Sequence, residues 1–153
     1  MFFRNEYWFL SNMFPCKIRV NGLEFTCAES CFQSFKTTDL ELRKKFQNLN
    51  GFEAKKLGKK IKLRPDWNDI RLEVMRRVIR AKFRQNLDLA IKLFAIPDHI
   101  EIVEDNTWND TFWGRCNGIG KNYLGQIITS ERMYLEIETG FVKEALPSGC
   151  NEE

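Results

Sequence analysis

The sequence predicts an α+β fold, a single helix-dominated domain carrying a small β-hairpin. Three observations carry this prediction. Asn21 and Gly22 sit between two short alternating runs, the dipeptide that a tight type I′ hairpin turn requires. Apolar residues recur at helical spacing along one long segment from Trp67. The chain has 153 residues, enough for one sizeable core.

In chain order, "CKIRVNGLEFT" (16–26) is the hairpin, and a helix is expected from about Ala28. A second helical stretch, "DLELRKKFQNL" (39–49), is expected to end near Asn50 and Gly51. A third, "FEAKKLGKK" (52–60), is short and basic. "LRPDW" (63–67) interrupts the chain and offers Asp66 as an N-cap. The strongest helix runs from there to about Asn86, with Trp67, Ile70, Val74, Val78 and Ala81 in one stripe widened by Met75 and Ile79. "LDLAIKLFA" (87–95) forms another helix, stopped by Pro97. "IEIVE" (100–104) reads as a strand, and a loop over 105–122 leads to a last helix containing Leu124, Ile127, Ile128 and Leu135. The domain is expected over residues 1–140, with 141–153 a flexible tail.

Composition excludes several classes. Hydrophobic residues make up 43% and aromatic residues 13% of the chain, which rules out a disordered or low-complexity protein. No apolar run approaches the roughly 18 residues of a membrane span. The start, "MFFRNEYWFL", has no signal-peptide pattern, so a cytoplasmic location is expected. Five cysteines without a CxxC pair argue against a disulfide framework or a structural zinc site. His99 is the only histidine, which leaves no metal cluster and no Ser/His/Asp set. Neither a metal nor a cofactor is expected. Net charge is +3, but basic residues concentrate from Lys55 to Arg84. Such a strip suits a phosphate-rich partner or is simply a solvated face.

"AESCFQSFK" (28–36) places Glu29, Gln33 and Lys36 within about 60° of one another on a helical wheel, bordering the apolar arc of Ala28, Cys31, Phe32 and Phe35. Ser30 and Ser34 take the far side. This arrangement suits either a trio facing a cleft or a boundary pair snorkelling beside the core. The chemistry of the trio fits cleavage at a sugar carbon. A neutral lysine amine attacks the carbon, and a carboxylate moves protons. The Gly-rich "WGRCNGIGKN" (113–122) precedes a helix, so N–H groups near Asn122 are candidates for a phosphate or hydroxyl. It is neither a P-loop nor a dinucleotide fingerprint. Trp108, Phe112 and Trp113 at its start serve the core or stack on a base.

Taken in order, "FLSNMFP" (9–15), the hairpin, "AESCFQSFK", "EAKKLGKKIKLRPDW" (53–67), "VMRRVIRAKFRQN" (74–86), "IVE" (102–104), "DTFWG" (110–114) and "GIGKNYLG" (118–125) resemble the NADAR, or YbiA-like, domain over roughly residues 2–136. The resemblance implies an enzyme acting on ribose N-glycosidic bonds. Members of the family remove ADP-ribose from modified guanine in nucleic acid, or cleave ribosylamino intermediates of riboflavin synthesis. By resemblance, Lys36 is the Schiff-base nucleophile and Glu29 assists proton transfer. Asn12, Trp113, Gly114 and Asn122 line the sugar and phosphate site. Gln33, Trp67 and Asp110 also match, in binding or structural roles, and Arg4, ahead of the "SN" pair, is assigned a phosphate contact. The chain departs from the pattern at Ser30, where many members have histidine, at Phe35, where they often have glutamine, and at Arg115 and Cys116.

Three functions follow as expectations. The first is a hydrolase releasing ADP-ribose from guanine in nucleic acid. The second is an N-glycosidase of ribosylaminopyrimidine phosphates of riboflavin synthesis, and the third is a non-catalytic binding module for ADP-ribose or NAD. The expected partners are therefore ADP-ribosylated nucleic acid or a ribosylamino phosphate metabolite, without a membrane.

Overall fold

The computed structural model describes residues 1–140; the expected tail beyond lies outside the described residues. A 3-10 helix (Asn5–Leu10) leads into a hairpin of β1 (Pro15–Val20) and β2 (Leu23–Cys27). These strands pair antiparallel, with Val20 opposite Leu23 and Ile18 opposite Phe25. Asn21 and Gly22 both have positive φ, 52° and 78°, as the predicted type I′ turn demands.

Helix α1 (Ala28–Ser34) follows directly and is buried along its whole length. Ser30 and Ser34, expected on a solvent side, are fully buried. Their hydroxyls bond the Cys27 and Cys31 carbonyls, which is how a small polar residue enters a core without a lost hydrogen bond. The packing explains why. Strands β1 and β2 and the later helices α3 (Gly51–Gly58) and α4 (Trp67–Gln85) all contact α1.

The next expectation also needs correction. Helix α2 spans only Leu40–Lys44, capped by Asp39, and the chain then runs through turns. Asn50 does not end a helix but starts α3 (Gly51–Gly58), through a reciprocal capping box with Glu53. The Asn-x-x-Glu spacing is a start signal, and it outweighs the stop reading of Asn-Gly.

Helix α4 (Trp67–Gln85) is the predicted long helix. Asp66 occupies its N-cap position but makes no cap bond, because its carboxylate is held by the Arg64 guanidinium at 2.6 and 3.0 Å. Of the stripe, Trp67, Val74, Met75, Val78 and Ile79 are buried, while Ile70 and Ala81 are partly so. Each fully buried side chain of this size contributes about 1.5–3 kcal/mol. Helices α5 (Leu87–Ala95) and α6 (Tyr123–Thr139) complete the shell. The four apolar residues expected of α6 are all buried.

The segment 100–104 is not a strand. Its backbone groups are bonded by a side chain instead: Asn122 Oδ1 accepts from the Glu104 N–H at 3.0 Å, and Asn122 Nδ2 donates to the Ile102 carbonyl at 3.0 Å. Pairing begins one residue later, where β3 (Asp105–Asn106) runs parallel to β4 (Arg115–Cys116). Among the described residues, no helix is long and apolar enough to cross a membrane.

Candidate active site

A cavity of about 510 Å³ opens between the chain start, the turn after the 3-10 helix, α1, α3 and the 104–113 loop. Its size is that of an ordinary small-ligand site. Arg4, Asn12, Glu29, Asp110 and Trp113, all expected at a site, line it. Glu104 and Lys55, not singled out from the sequence, line it as well.

Glu29 comes from the first turn of α1, and its side chain is 8% exposed. Gln33, one turn on, donates to Glu29 Oε1 at 2.8 Å. Burial pushes the Glu29 carboxyl up, while the bond from Gln33 and the positive charges of Lys55 and Lys36 oppose the rise. Gln33 is thus a support behind the wall rather than part of it. It is held by close packing: a Cβ on Gly58 would meet Gln33 Oε1 at 1.9 Å.

Glu104 faces Glu29 from the loop side. Burial, then the negative charges of Asp110 and Glu29, push its carboxyl up to about 8, with Lys55 opposing. Its Oε2 is buried without a hydrogen-bond partner among the described residues. The Asn122 side chain fixes its backbone N–H, and the Arg115 N–H bonds its carbonyl at 2.9 Å. Gly114 lies against that carbonyl so closely that a Cβ would approach it to 2.1 Å. Gly114 and Asn122 therefore hold the wall in place and do not line the cavity. Asp110 caps the turn behind it, its Oδ1 accepting from the N–H groups of Phe112 and Trp113 at 3.1 and 2.9 Å.

Asn12 is buried on the same cavity wall, its amide donating to the Met75 sulfur at 3.5 Å and its Oδ1 without a partner among the described residues. The preceding carbonyl, of Ser11, accepts from Lys82 Nζ at 2.9 Å. Lys82 is fully buried, and burial pulls its amine down to about 8. Sequence reading placed it in the basic strip, as a contact for a phosphate-rich partner or part of a solvated face. Only its position among apolar neighbours, one residue past Ala81 of the stripe, marked it as inward.

The expected trio is not all on one wall. The end of α1 winds tighter, with the Lys36 N–H bonded to the Gln33 carbonyl at 3.1 Å, an i to i−3 bond. Lys36 is thereby turned to the side of Trp67, whose ring lies 6.0 Å from its Nζ, and it does not line the cavity. Burial lowers its basicity, as do Lys55 and Lys59, against the pull of Glu29. Trp67 packs on Phe32 and stands behind the wall.

Two further expectations are corrected here. The N–H groups of residues 121–124 are already bonded to the carbonyls of Thr111, Gly114, Phe112 and Trp113, so they form no anion site. The basic strip is also broken up. Arg64, Arg76, Arg80 and Arg84 pair with Asp66, Glu73, Glu131 and Glu138, and Arg71 stacks on Phe112. What remains open near the cavity is the lysine-rich face of α3, beside exposed aromatics Phe2, Trp8, Phe52 and Trp108 on the cavity wall. Among the described residues, no group of three or more potential ligands is arranged to hold a metal ion.

The fold and the sequence have known relatives. The solution structure of the YbiA protein of Escherichia coli matches with a TM-score of 0.79 and 31% identity, over 90% of this chain and 83% of that one. A protein named N-glycosidase YbiA from Escherichia coli K12 is 33% identical over 138 residues, 88% of this chain and 85% of its own. A riboflavin biosynthesis protein of Vibrio vulnificus is 36% identical over 135 residues. The chain spans 86% of itself but only 36% of that protein's length in the match. The NADAR domain family model covers residues 1–136, and the chain belongs to the NADAR family.

Proposed function

We propose that the protein is an N-glycosidase that releases ADP-ribose from ADP-ribosylated guanine in nucleic acid. The observation that carries this reading is the cavity wall. Buried oxygens of Asn12 and Glu104 stand there without hydrogen-bond partners among the described residues, and such groups are costly unless a ligand supplies the missing bond. A ribose carries hydroxyls, which both donate and accept, suited to them. The carboxyls of Glu29 and Glu104 line the cavity and suit proton transfer at a glycosidic bond, and Arg4 and Lys55 on the same wall suit a diphosphate. The exposed rings of Trp8, Phe52 and Trp108 suit bases beyond the ribose.

In the reaction, Lys36 is the nucleophile. Its lowered basicity raises the fraction of neutral amine, and its four-carbon stem swings from Trp67 toward Glu29 to reach the ligand. The amine bonds C1 of the ribose as guanine leaves, and water then hydrolyses the adduct. Glu29 carries protons. Lys55 is the rival amine, since it already lines the cavity. Borohydride added during turnover, followed by peptide mapping, separates the two: an adduct on Lys36 is expected, and one on Lys55 overturns the assignment.

A second reading, cleavage of a ribosylaminopyrimidine phosphate, is favoured by the name of the Vibrio relative. Incubation with each substrate and chromatography of the products decides between them. Rapid loss of the ribosylamino compound, with the oligonucleotide left intact, supports the second.

A further inference from the structure

We propose that Glu104 is the acid that protonates the departing nitrogen of the base. This rests on the N-glycosidase reading and assigns a catalytic role to a residue outside the Lys36 and Glu29 pair.

The geometry separates the two carboxyls by role. Burial pushes the Glu29 carboxyl up, and the hydrogen bond it accepts from Gln33 opposes that rise. Glu104 lines the same cavity, yet its Oε2 has no partner and no donor is aimed at it from the described residues. A carboxylate left so would be costly, whereas a carboxylic acid is neutral and carries a proton to give. The charged and titratable groups around it are Asp110 on its own loop, Glu29 on α1 and Lys55 on α3. Arg4 and Asp105 also stand on the cavity wall. The two nearby carboxyls oppose its ionisation, and Lys55, exposed on α3, only partly offsets them. Two acids in different surroundings, one given a hydrogen-bond donor and one given none, are a workable pair for moving a proton.

The step balances. The bond between C1 and the base nitrogen breaks, its electron pair goes to nitrogen, and the Glu104 proton follows that pair. C1 passes to the Lys36 amine. One water then replaces the amine on C1, and its remaining proton returns to the Glu104 carboxylate. The sum is glycoside plus water giving free sugar and free base, with no oxidant or reductant.

Glu104→Gln is a suitable probe, because the bonds that fix this residue run through its main chain. Two substrates are compared: ADP-ribosylated guanine oligonucleotide, and the para-nitrophenyl glycoside of ADP-ribose, whose leaving group departs without a proton. The variant is expected to lose about 10²–10⁴-fold in kcat on the guanine substrate, and at least ten times less than that on the nitrophenyl one. For the wild type, the rate on guanine should fall as pH rises through about 8, a limb absent on the nitrophenyl substrate. Equal losses on both substrates, or no loss on either, overturn the role of Glu104 while leaving the N-glycosidase reading intact. If wild type cleaves neither substrate, the reading itself fails and this role with it. An independent check is carbon NMR of glutamate-labelled protein, with the signal assigned through Glu104→Gln. Titration near 8 is expected, and titration in the ordinary carboxylate range contradicts the proposal.

Discussion

Gln33 donates its side-chain amide to Glu29 one turn earlier, at 2.8 Å, within a helix that has no exposed residue. This bond is the largest influence among the described residues that holds down the rise in the buried Glu29 carboxyl, ahead of the Lys55 and Lys36 charges. Gln33→Leu removes the donor and keeps the bulk. The Glu29 carboxyl then rises further, so the acidic limb of the rate profile moves to higher pH. Activity should drop more at the acidic end of a buffer series than at its middle, as initial rates would show. An unshifted limb would mean that Glu29 does not act as a carboxylate.

Glu104 links the site to stability. Its carboxyl is raised from 4.5 to about 8 in the fold, so the folded state holds a proton that the unfolded chain has lost across that window. Its contribution is complete below about 4.5 and fades as pH rises through about 8. Glu104→Gln should therefore be more stable than wild type above neutrality, by about 1–3 kcal/mol, and little different near pH 4. Urea unfolding at the two pH values measures this.

Asn122 adopts φ 53° and joins residues 102 and 104 through its side chain. Asn122→Ala loses both hydrogen bonds and puts a less tolerant residue in the left-handed region. A cost of about 2–4 kcal/mol is expected from denaturant midpoints. Asn122→Gly, which relieves only the backbone, should recover the smaller part of it.

Trp108 is 61% exposed on the cavity wall, so its removal should cost little stability. Trp108→Ala should raise KM for an ADP-ribosylated oligonucleotide about 5–100-fold, the cost of one lost base stack. KM for ADP-ribosylated guanosine should change far less. Equal changes would place the ring on the mononucleotide itself.

Much of the fold was legible because its signals are local. The Asn21 and Gly22 turn, the stripe from Trp67 and the Pro97 stop depend on neighbours in sequence, and each recurs in the structure. The 100–104 segment was misread because its pairing partner is the side chain of Asn122, some twenty residues on. In the site, Glu29 was found from its place on a helical wheel, and Asn12 and Asp110 through family motifs, and all three line the cavity. Glu104 lay inside a quoted motif, but its chemistry depends on Glu29 and Asp110 being nearby in space. Lys36 was placed on the cavity by extending an ideal helix two residues past Ser34, where the chain tightens instead.

The most direct test is release of ADP-ribose from an ADP-ribosylated guanine oligonucleotide by wild type and by Lys36→Ala. The account predicts release by the wild type and a loss of at least about 10²-fold in the variant, with the borohydride adduct lost from the peptide carrying residue 36. Release by Lys36→Ala at the wild-type rate, or none by wild type on a substrate that another hydrolase clears, would contradict it.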